Sequence, residues 1–324
     1  MPSHNTSPLT YAVVGTGALG GYYGGMLAQK HGDRVRFLLR SDVNHVRAHG
    51  LRVETKNTSF TLPNVQAFNN PAVMPPVDVA LLCLKTTHNA QLANLLPLLL
   101  NPNGVVLVLQ NGLHPEADAA AVVGDDRVLG GLCFLCANKI GPGHVRHLDY
   151  GQIRAGAPHT ASPTTQALLP RIAQDFSDAQ LDLRVVDNLR LARWQKLVWN
   201  IPFNGLSVVL NQTTDAMMAS PAIRTQVKSL MAEVVTAAHA TEGCVIEPTF
   251  VQKMLDDTQR MPPYRTSMML DADAKRPLEF EAIVGDPLRA ATRAGLAMPE
   301  MTRLYAQLKA FRPMAGEGTE GPRG

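Results

Sequence analysis

Three polar side chains recur every four residues through an apolar stretch, WQKLVWNIPFN at 194–204, which also holds both tryptophans. On a helix, Lys196, Asn200 and Asn204 lie nearly above one another, while Leu197 and the tryptophans point elsewhere. A lysine on a largely buried surface costs free energy unless it has a partner. An ammonium can stabilise a developing oxyanion and donate a proton, and amides can orient a polar substrate. From the residues alone, a general-acid site and a solvated helix face remain equally open.

A glycine-rich turn near the start of the chain offers a second kind of chemistry. It directly follows an apolar strand, opens a helix, and consists of Gly15, Thr16, Gly17, Ala18, Leu19 and Gly20. The first glycine permits a tight turn, the second lets the backbone approach a pyrophosphate, and the third allows close helix–strand packing. Helix N–H groups then face the phosphates. The six residues are predicted to bind a dinucleotide; the alternative is a strand–helix turn without a ligand.

Arg40 bears on which dinucleotide binds. It lies where an NAD-preferring site carries an acidic residue on the ribose, about 20 residues beyond the glycines. A guanidinium can bind a 2′-phosphate bidentately, whereas a carboxylate would repel it. NADP(H) is therefore favoured, although the nearby Asp42 leaves NAD open. Lys85 and Asn111 end later predicted strands and can converge on the crevice, because ligands bind beyond the carboxyl ends of the strands. The alternative is that either residue is an ordinary polar strand end.

Other segments must position these groups. Val- and Leu-rich strands alternate with helices in the first half, which predicts parallel strands buried on both faces. These strands are predicted at 11–15, 34–40, 77–85 and 104–112, with an irregular, β-rich stretch through residue 70 and more strands over 127–157. Beyond about residue 188 the periodicity is helical, with stops at Gly243 and Gly295. Pro202 is expected to kink the helix that carries Lys196.

The fold class is therefore predicted to be α/β. An N-terminal Rossmann-like dinucleotide-binding domain is predicted over 9–187 and a C-terminal all-helical domain over 188–314. Residues 1–8 and 315–324 are predicted to be flexible tails.

Composition limits the remaining function classes. The net charge is only +3 and no basic block stands out, so nucleic acid and membrane surfaces are not expected partners. The N-terminus lacks the features of a signal peptide, and four cysteines are few for a disulfide framework. Cys133 and Cys136 form a C-x-x-C without a second pair, which favours buried strand cysteines over a metal site. A cytoplasmic protein without a metal is predicted.

The chain resembles ketopantoate reductases (2-dehydropantoate 2-reductases) over nearly its whole length. That family carries G-x-G-A-[LM]-G, a strand ending in lysine, a Q/H-N-G, and K-x-x-x-N-x-x-x-N. Further on it has S-M-x-x-D, with a glutamate twelve residues after the serine. The matching stretches here are GTGALG, LLCLK, LQNG, KLVWNIPFN and SMMLD, with Glu279. Each motif alone is weak, but five in the same order make a strong match.

The resemblance implies NADPH-dependent reduction of 2-dehydropantoate to pantoate, in pantothenate biosynthesis. Lys196 would be the general acid, and Glu279 would hold the lysine and the substrate in place. The substrate site would comprise Asn111, Lys196, Asn200, Asn204, Ser267 and Glu279, while Arg40 and Lys85 would lie on the adenosine phosphate side. The polar row is then expected to line a cleft between the domains, and the helical domain could supply a homodimer surface.

The match departs from the best-studied members at Thr214 and Tyr264, where those enzymes carry asparagines in the substrate pocket. A paralogous NADPH-dependent reductase of another small 2-oxo acid is therefore an alternative. A module that senses NADP(H) without turnover is another, and it predicts tight cofactor binding that does not depend on Lys196 or Glu279.

Overall fold

The computed structural model describes residues 7–311, which divide between Arg193 and Trp194 into two compact units. The sequence predicted a boundary slightly earlier, between residues 187 and 188. A single helix, Leu189–Leu210, spans the division, so its first five residues belong to the first unit. The predicted tails at 1–8 and 315–324 lie outside the described residues, except for Ser7 and Pro8.

Strands and helices alternate through the first unit. Its strands are β1 (Tyr11–Val14), β2 (Val35–Leu38), β3 (Leu51–Glu54), β4 (Ser59–Leu62), β5 (Gln66–Phe68), β6 (Val77–Leu82), β7 (Leu100–Val108), β8 (Val128–Gly141), β9 (His144–Gly156) and β10 (Leu183–Val185). Its α-helices are α1 (Ala18–His31), α2 (Val43–His49), α3 (Leu92–Leu99), α4 (Glu116–Val123), α5 (Pro163–Gln166) and α6 (Leu169–Asp178).

These strands form one sheet in the order β4-β3-β9-β8-β7-β6-β1-β2-β5, with β10 beside β9. The pairings from β8 through β5 are all parallel, as the apolar runs predicted. β8 and β9 pair antiparallel instead, as do β3 and β4. A short turn at Pro142 and Gly143 joins β8 directly to β9, and such a turn can connect only antiparallel strands.

Both faces of the central strands are buried. Tyr11 and Val13 of β1 pack in a core with residues of α1 and α6, whereas Ala12 and Val14 pack in a second core with residues of α3 and α4. Alternate residues of a strand point to opposite faces, so a continuous apolar run is what a sheet covered on both sides requires. The sheet therefore lies between two helical layers.

The sequence analysis missed one helix and placed the ends of two strands too late. The β-rich stretch before residue 70 contains α2, which buries only Val43 and Val46 and is too short to show helical periodicity. β6 ends at Leu82 and β7 at Val108, so Lys85 and Asn111 lie in the loops beyond rather than on the strands.

The second unit is helical throughout its described residues. Its helices are α7 (Leu189–Leu210), which it shares with the first unit, α8 (Thr214–Ala219), α9 (Pro221–Glu242), α10 (Pro248–Arg260), α11 (Ser267–Asp273), a π-helical turn (Glu281–Gly285) that runs into α12 (Asp286–Arg293), and α13 (Pro299–Ala310). α9 stops at Gly243, which has a φ of 64°. α7 continues past Pro202. Over residues 7–311, no helix has the length and apolar character needed to cross a membrane.

Candidate active site

Two glycines of the turn after β1 are required by the packing of the protein itself. Gly15 has a φ of 97°, and a Cβ there would lie 2.8 Å from the side chain of Leu84. A Cβ on Gly20 would lie 2.0 Å from the carbonyl oxygen of Gly15 and 3.0 Å from Val13. At Gly15 and Gly20 the chain therefore packs too closely on its neighbours to leave room for a side chain.

Gly17 differs from its neighbours because a Cβ there would meet nothing within 4 Å. It is the N-cap residue of α1, where no side chain caps the helix and no acidic residue lies in the first turn. The first N–H groups of this 14-residue helix thus have no side-chain cap, and they lie at the end of the helix dipole that favours an anion. The turn, including Thr16, Ala18 and Leu19, fits a pyrophosphate; contact with Gly17 remains a prediction.

Replacing Gly17 with alanine will leave the apo fold intact but weaken NADPH binding about tenfold, because the methyl group occupies space that a pyrophosphate needs. Thermal melting and fluorescence titration with NADPH will measure the two effects. Gly20→Ala is the matched comparison, and it will lower the melting temperature of the apo protein through its clash with Gly15. Unchanged NADPH affinity in Gly17→Ala would remove the glycine from the cofactor site.

The loops after β6 and β7 begin beside this turn. The Cys83 N–H donates to the Val14 carbonyl (2.9 Å), and the Leu109 N–H donates to the Leu82 carbonyl (2.9 Å). The half-buried Lys85 and Asn111 lie in these two loops. The carboxyl ends of β1, β6 and β7 therefore collect the glycine turn, Lys85 and Asn111 at one edge of the sheet, where the fold class binds dinucleotides.

Arg40 lies two residues beyond the end of β2, on the other side of β1, and is exposed. Its neighbour Asp42 is only 6% exposed and forms an ion pair with Lys139 (2.6 Å). Asp42 also accepts the Gly143 N–H (2.8 Å). Burial opposes ionisation of Asp42, but these bonds outweigh it and hold its pKa below the usual value. Asp42, the acidic residue that left NAD possible as the cofactor, thus already binds residues at the β8–β9 turn.

The predicted polar row occupies successive turns of α7. Asn200 and Asn204 are 7% and 3% exposed, and Lys196 is half-buried. A continuous helix places side chains four residues apart on one face. α7 therefore presents one ammonium and two amides as a single row.

Aromatic residues of α7 pack into the helical unit. Trp194 is fully buried and donates its indole N–H to Glu242 (3.1 Å). Trp199 donates to the Thr258 hydroxyl (2.9 Å) and stacks on Phe203, with ring centroids 4.9 Å apart. These contacts confirm the predicted burial and fix the rotation of α7 about its axis.

Ser267 meets the polar row at Asn204. The Asn204 Oδ1 accepts from the Ser267 hydroxyl and from the Met268 N–H, both at 3.5 Å. Ser207 donates to the Asn204 carbonyl (3.0 Å) and bonds the Thr266 hydroxyl (2.7 Å), which ties α11 to α7. Two residues 63 positions apart in sequence are thereby brought together.

Glu279 is 5% exposed and precedes the π-helical turn, where its carbonyl accepts the Ile283 N–H (3.1 Å). Glu281, two residues on, is exposed and pairs with Arg289 (2.7 Å) and the Tyr305 hydroxyl (2.8 Å). The two glutamates therefore occupy different environments. Burial of its carboxylate sets Glu279 apart as the candidate for the site.

Comparison with known proteins identifies the family. Residues 11–159 match "Ketopantoate reductase PanE/ApbA", and residues 188–312 match "Ketopantoate reductase PanE/ApbA C terminal". The chain belongs to the ketopantoate reductase family. A curated relative from Nostoc sp., named 2-dehydropantoate 2-reductase, is 50% identical over 92% of this chain and 94% of its own length.

Solved 2-dehydropantoate 2-reductases share the architecture. The enzyme from Geobacter metallireducens is 39% identical, covers 93% of this chain and 99% of its own, and has a TM-score of 0.89. The one from Methylococcus capsulatus is 32% identical, covers 93% and 96%, and has a TM-score of 0.83. Both the predicted fold class and the predicted family are confirmed.

Three residues of this ketopantoate reductase homologue were missed by sequence reasoning. Arg193 forms a buried ion pair with Glu116 and donates to the Gln110 carbonyl (3.1 Å). The partners lie 77 and 83 positions away, so local patterns could not pair them. The available signal was an arginine directly before a buried tryptophan, which implied a buried guanidinium in need of a partner.

Proposed function

We propose that this protein catalyses the NADPH-dependent reduction of 2-dehydropantoate to pantoate. The observation that carries the proposal is the row of Lys196, Asn200 and Asn204 on α7, with Ser267 bonded to its far end. The reaction is the one named for the Nostoc relative at 50% identity. The residue types fit it, because a ketone must be protonated while a carboxylate and a hydroxyl are held in place.

Lys196 acts as the general acid in this proposal. Its ammonium stabilises the negative charge that develops on the ketone oxygen and passes a proton to that oxygen, which gives the hydroxyl of pantoate. Solvent then returns a proton to the lysine. Glu279 orients the lysine and the substrate, while Asn200, Asn204 and Ser267 hold the substrate's hydroxyl and carboxylate.

The residues of the first unit hold the cofactor. NADPH, when bound, supplies the hydride that reduces the ketone carbon. The turn from Gly15 to Gly20 binds the pyrophosphate, and Arg40 and Lys85 bind the adenosine phosphate side. Asn111 would hold the nicotinamide end. The open space at Gly17 and the ion pair between Asp42 and Lys139 support this assignment of NADPH to the first unit.

Loss of NADPH absorbance with 2-dehydropantoate tests the proposal, against a panel of other 2-oxo acids under the same conditions. We expect the highest kcat/KM for 2-dehydropantoate. Faster turnover of another acid would assign a paralogous reductase, which is the second candidate because Thr214 and Tyr264 stand where the best-studied members carry asparagines. Tight NADPH binding without turnover of any acid would indicate a sensor.

Recognition of the substrate hydroxyl provides a finer prediction. The analogue 3,3-dimethyl-2-oxobutanoate lacks only that hydroxyl, and its kcat/KM will be about 100-fold lower, because buried polar groups are then left unpaired. Ser267→Ala will narrow this gap, whereas Ser229→Ala on the exposed face of α9 will not. Equal kcat/KM for the two acids would argue against 2-dehydropantoate as the substrate.

Two further parts of the proposal concern the setting of the enzyme. We place it in the cytoplasm, where NADPH is regenerated, which agrees with the small number of cysteines. We also propose a homodimer through the helical unit. Light scattering coupled to gel filtration will measure the mass of the protein in solution. A monomer at micromolar concentration would contradict the proposed homodimer.

A further inference from the structure

We propose that Arg193 is a positioning residue for the reduction, because it holds the Gln110–Asn111 turn against the first turn of α7. The inference rests on the proposed function, in which Asn111 contacts the nicotinamide end of the cofactor. Arg193 and the turn both belong to the first unit, so the contact is internal to the dinucleotide-binding part.

The guanidinium of Arg193 is 3% exposed and donates hydrogen bonds to two different partners. Nε donates to Glu116 Oε1 (2.9 Å), and Nη2 bonds the same oxygen. Nη1 donates to the Gln110 carbonyl (3.1 Å). A planar fork fixes the angle between its bonds, which the flexible stem of a lysine cannot do.

The surroundings of the pair admit little rearrangement. A Cβ on Gly130 would lie 2.1 Å from Glu116 Oε1 and 2.6 Å from the side chain of Leu189. Glu116 opens α4, where the helix dipole favours a carboxylate. A buried pair of this kind contributes little net stability, but it imposes one geometry because neither charge tolerates losing its partner.

The turn is anchored on its other side as well. The Gln110 side chain donates to the Leu84 carbonyl (2.9 Å) and bonds Asn89 (2.6 Å), both in the loop that carries Lys85. Its backbone carbonyl is the group that Arg193 binds. Asn111 follows directly, and Gly112 with a φ of 113° completes the turn. The backbone before Asn111 is therefore fixed between the Lys85 loop and α7.

The consequence for chemistry comes from helix geometry. Arg193 and Lys196 are three residues apart on a continuous helix, which makes them neighbours on its surface. The same turn of helix thus carries the proposed acid and the anchor of the proposed nicotinamide contact. A displacement of about 1 Å between reacting groups can lower a rate about 100-fold. Loss of the Gln110 contact will therefore slow hydride transfer without removing a group that performs it.

Three variants separate positioning from stability. Arg193→Met leaves Glu116 buried without its partner and will lower the melting temperature by about 10 °C. The double variant R193M/E116M removes both charges and will recover most of that loss, but it still lacks the donor to Gln110. Arg193→Lys keeps the charge and loses the fork. Arg190→Lys, at an exposed position of α7, is the control.

We expect the double variant and Arg193→Lys to lower kcat for 2-dehydropantoate by about tenfold to 100-fold, with NADPH affinity within about threefold of wild type. The primary isotope effect with NADPH deuterated at the transferred position will rise as hydride transfer becomes more rate-limiting. Amides of residues 110–113 will exchange about tenfold faster with solvent deuterium in the same two variants. The Arg190→Lys control will change none of these values.

Recovery of kcat together with the melting temperature in the double variant would overturn the proposal and leave Arg193 a structural residue. Unchanged exchange at residues 110–113 would overturn it independently of any assay. A wild-type enzyme inactive on 2-dehydropantoate would instead overturn the proposed function. The exchange measurement would then decide alone whether Arg193 holds the turn.

Discussion

Alanine in place of Lys196 will lower kcat for 2-dehydropantoate by about 1,000-fold, because the ketone oxygen loses both its proton donor and the charge that stabilises it. NADPH affinity will stay within about threefold of wild type, since the residues proposed to bind the cofactor all belong to the first unit. Stopped-flow kinetics with 2-dehydropantoate and fluorescence titration with NADPH will measure the two quantities on the same preparation.

Conservative substitution divides the role of Lys196 into its two parts. Lys196→Arg keeps a cation that cannot release its proton near neutral pH, so it will recover only part of the charge stabilisation and none of the proton transfer. Lys228→Ala, at an exposed position of α9, is the matched control and will leave kcat unchanged. Parallel losses of kcat and NADPH affinity in Lys196→Ala would argue against a general-acid role and in favour of damage to the fold.

Short motifs with a strict physical requirement were predictable from the sequence. Gly15 and Gly20 could be recognised because a sharp turn followed by close helix packing leaves no room for side chains there. The shared helix face of Lys196, Asn200 and Asn204 was equally predictable, because helix periodicity alone puts residues four apart on one face. The parallel pairing of the central strands follows from the same alternation of buried strands and helices.

Long-range polar contacts could not be predicted. Asp42 left the choice of cofactor open, and only the fold shows its carboxylate bound to Lys139 and to the Gly143 N–H, 101 positions away. The bond from Ser267 to Asn204 spans 63 positions and the buried pair of Arg193 spans 77. Such contacts depend on where whole elements pack, and no local propensity encodes them. Strand ends were missed for a related reason, because Lys85 and Asn111 continue apolar runs whose hydrogen bonding stops earlier.

The second large effect is expected at Arg40. Arg40→Asp will raise the Kd for NADPH about 100-fold, because the 2′-phosphate loses a bidentate, charge-assisted partner and meets a carboxylate instead. The Kd for NADH will stay the same or fall, since a carboxylate at this position can accept bonds from the ribose hydroxyls. Asp42 is poorly placed to supply that carboxylate in the wild type, because it is 6% exposed, its Oδ2 binds Lys139 and Gly143, and its Oδ1 accepts from Ser41.

Titration of NADPH and NADH against Arg40→Asp and against a charge-matched control will measure this change in cofactor preference. Lys30→Glu, at an exposed position in the last turn of α1, changes the net charge equally and will leave both affinities near wild type. Comparing the two variants separates a direct contact between residue 40 and the 2′-phosphate from the effect of net charge. The effect of a distant charge is weak in any case, because salt screens it within about 10 Å at ordinary ionic strength. If Arg40→Asp bound NADPH as tightly as the control, the 2′-phosphate would have to be recognised elsewhere, and Lys85 would become the first residue to replace.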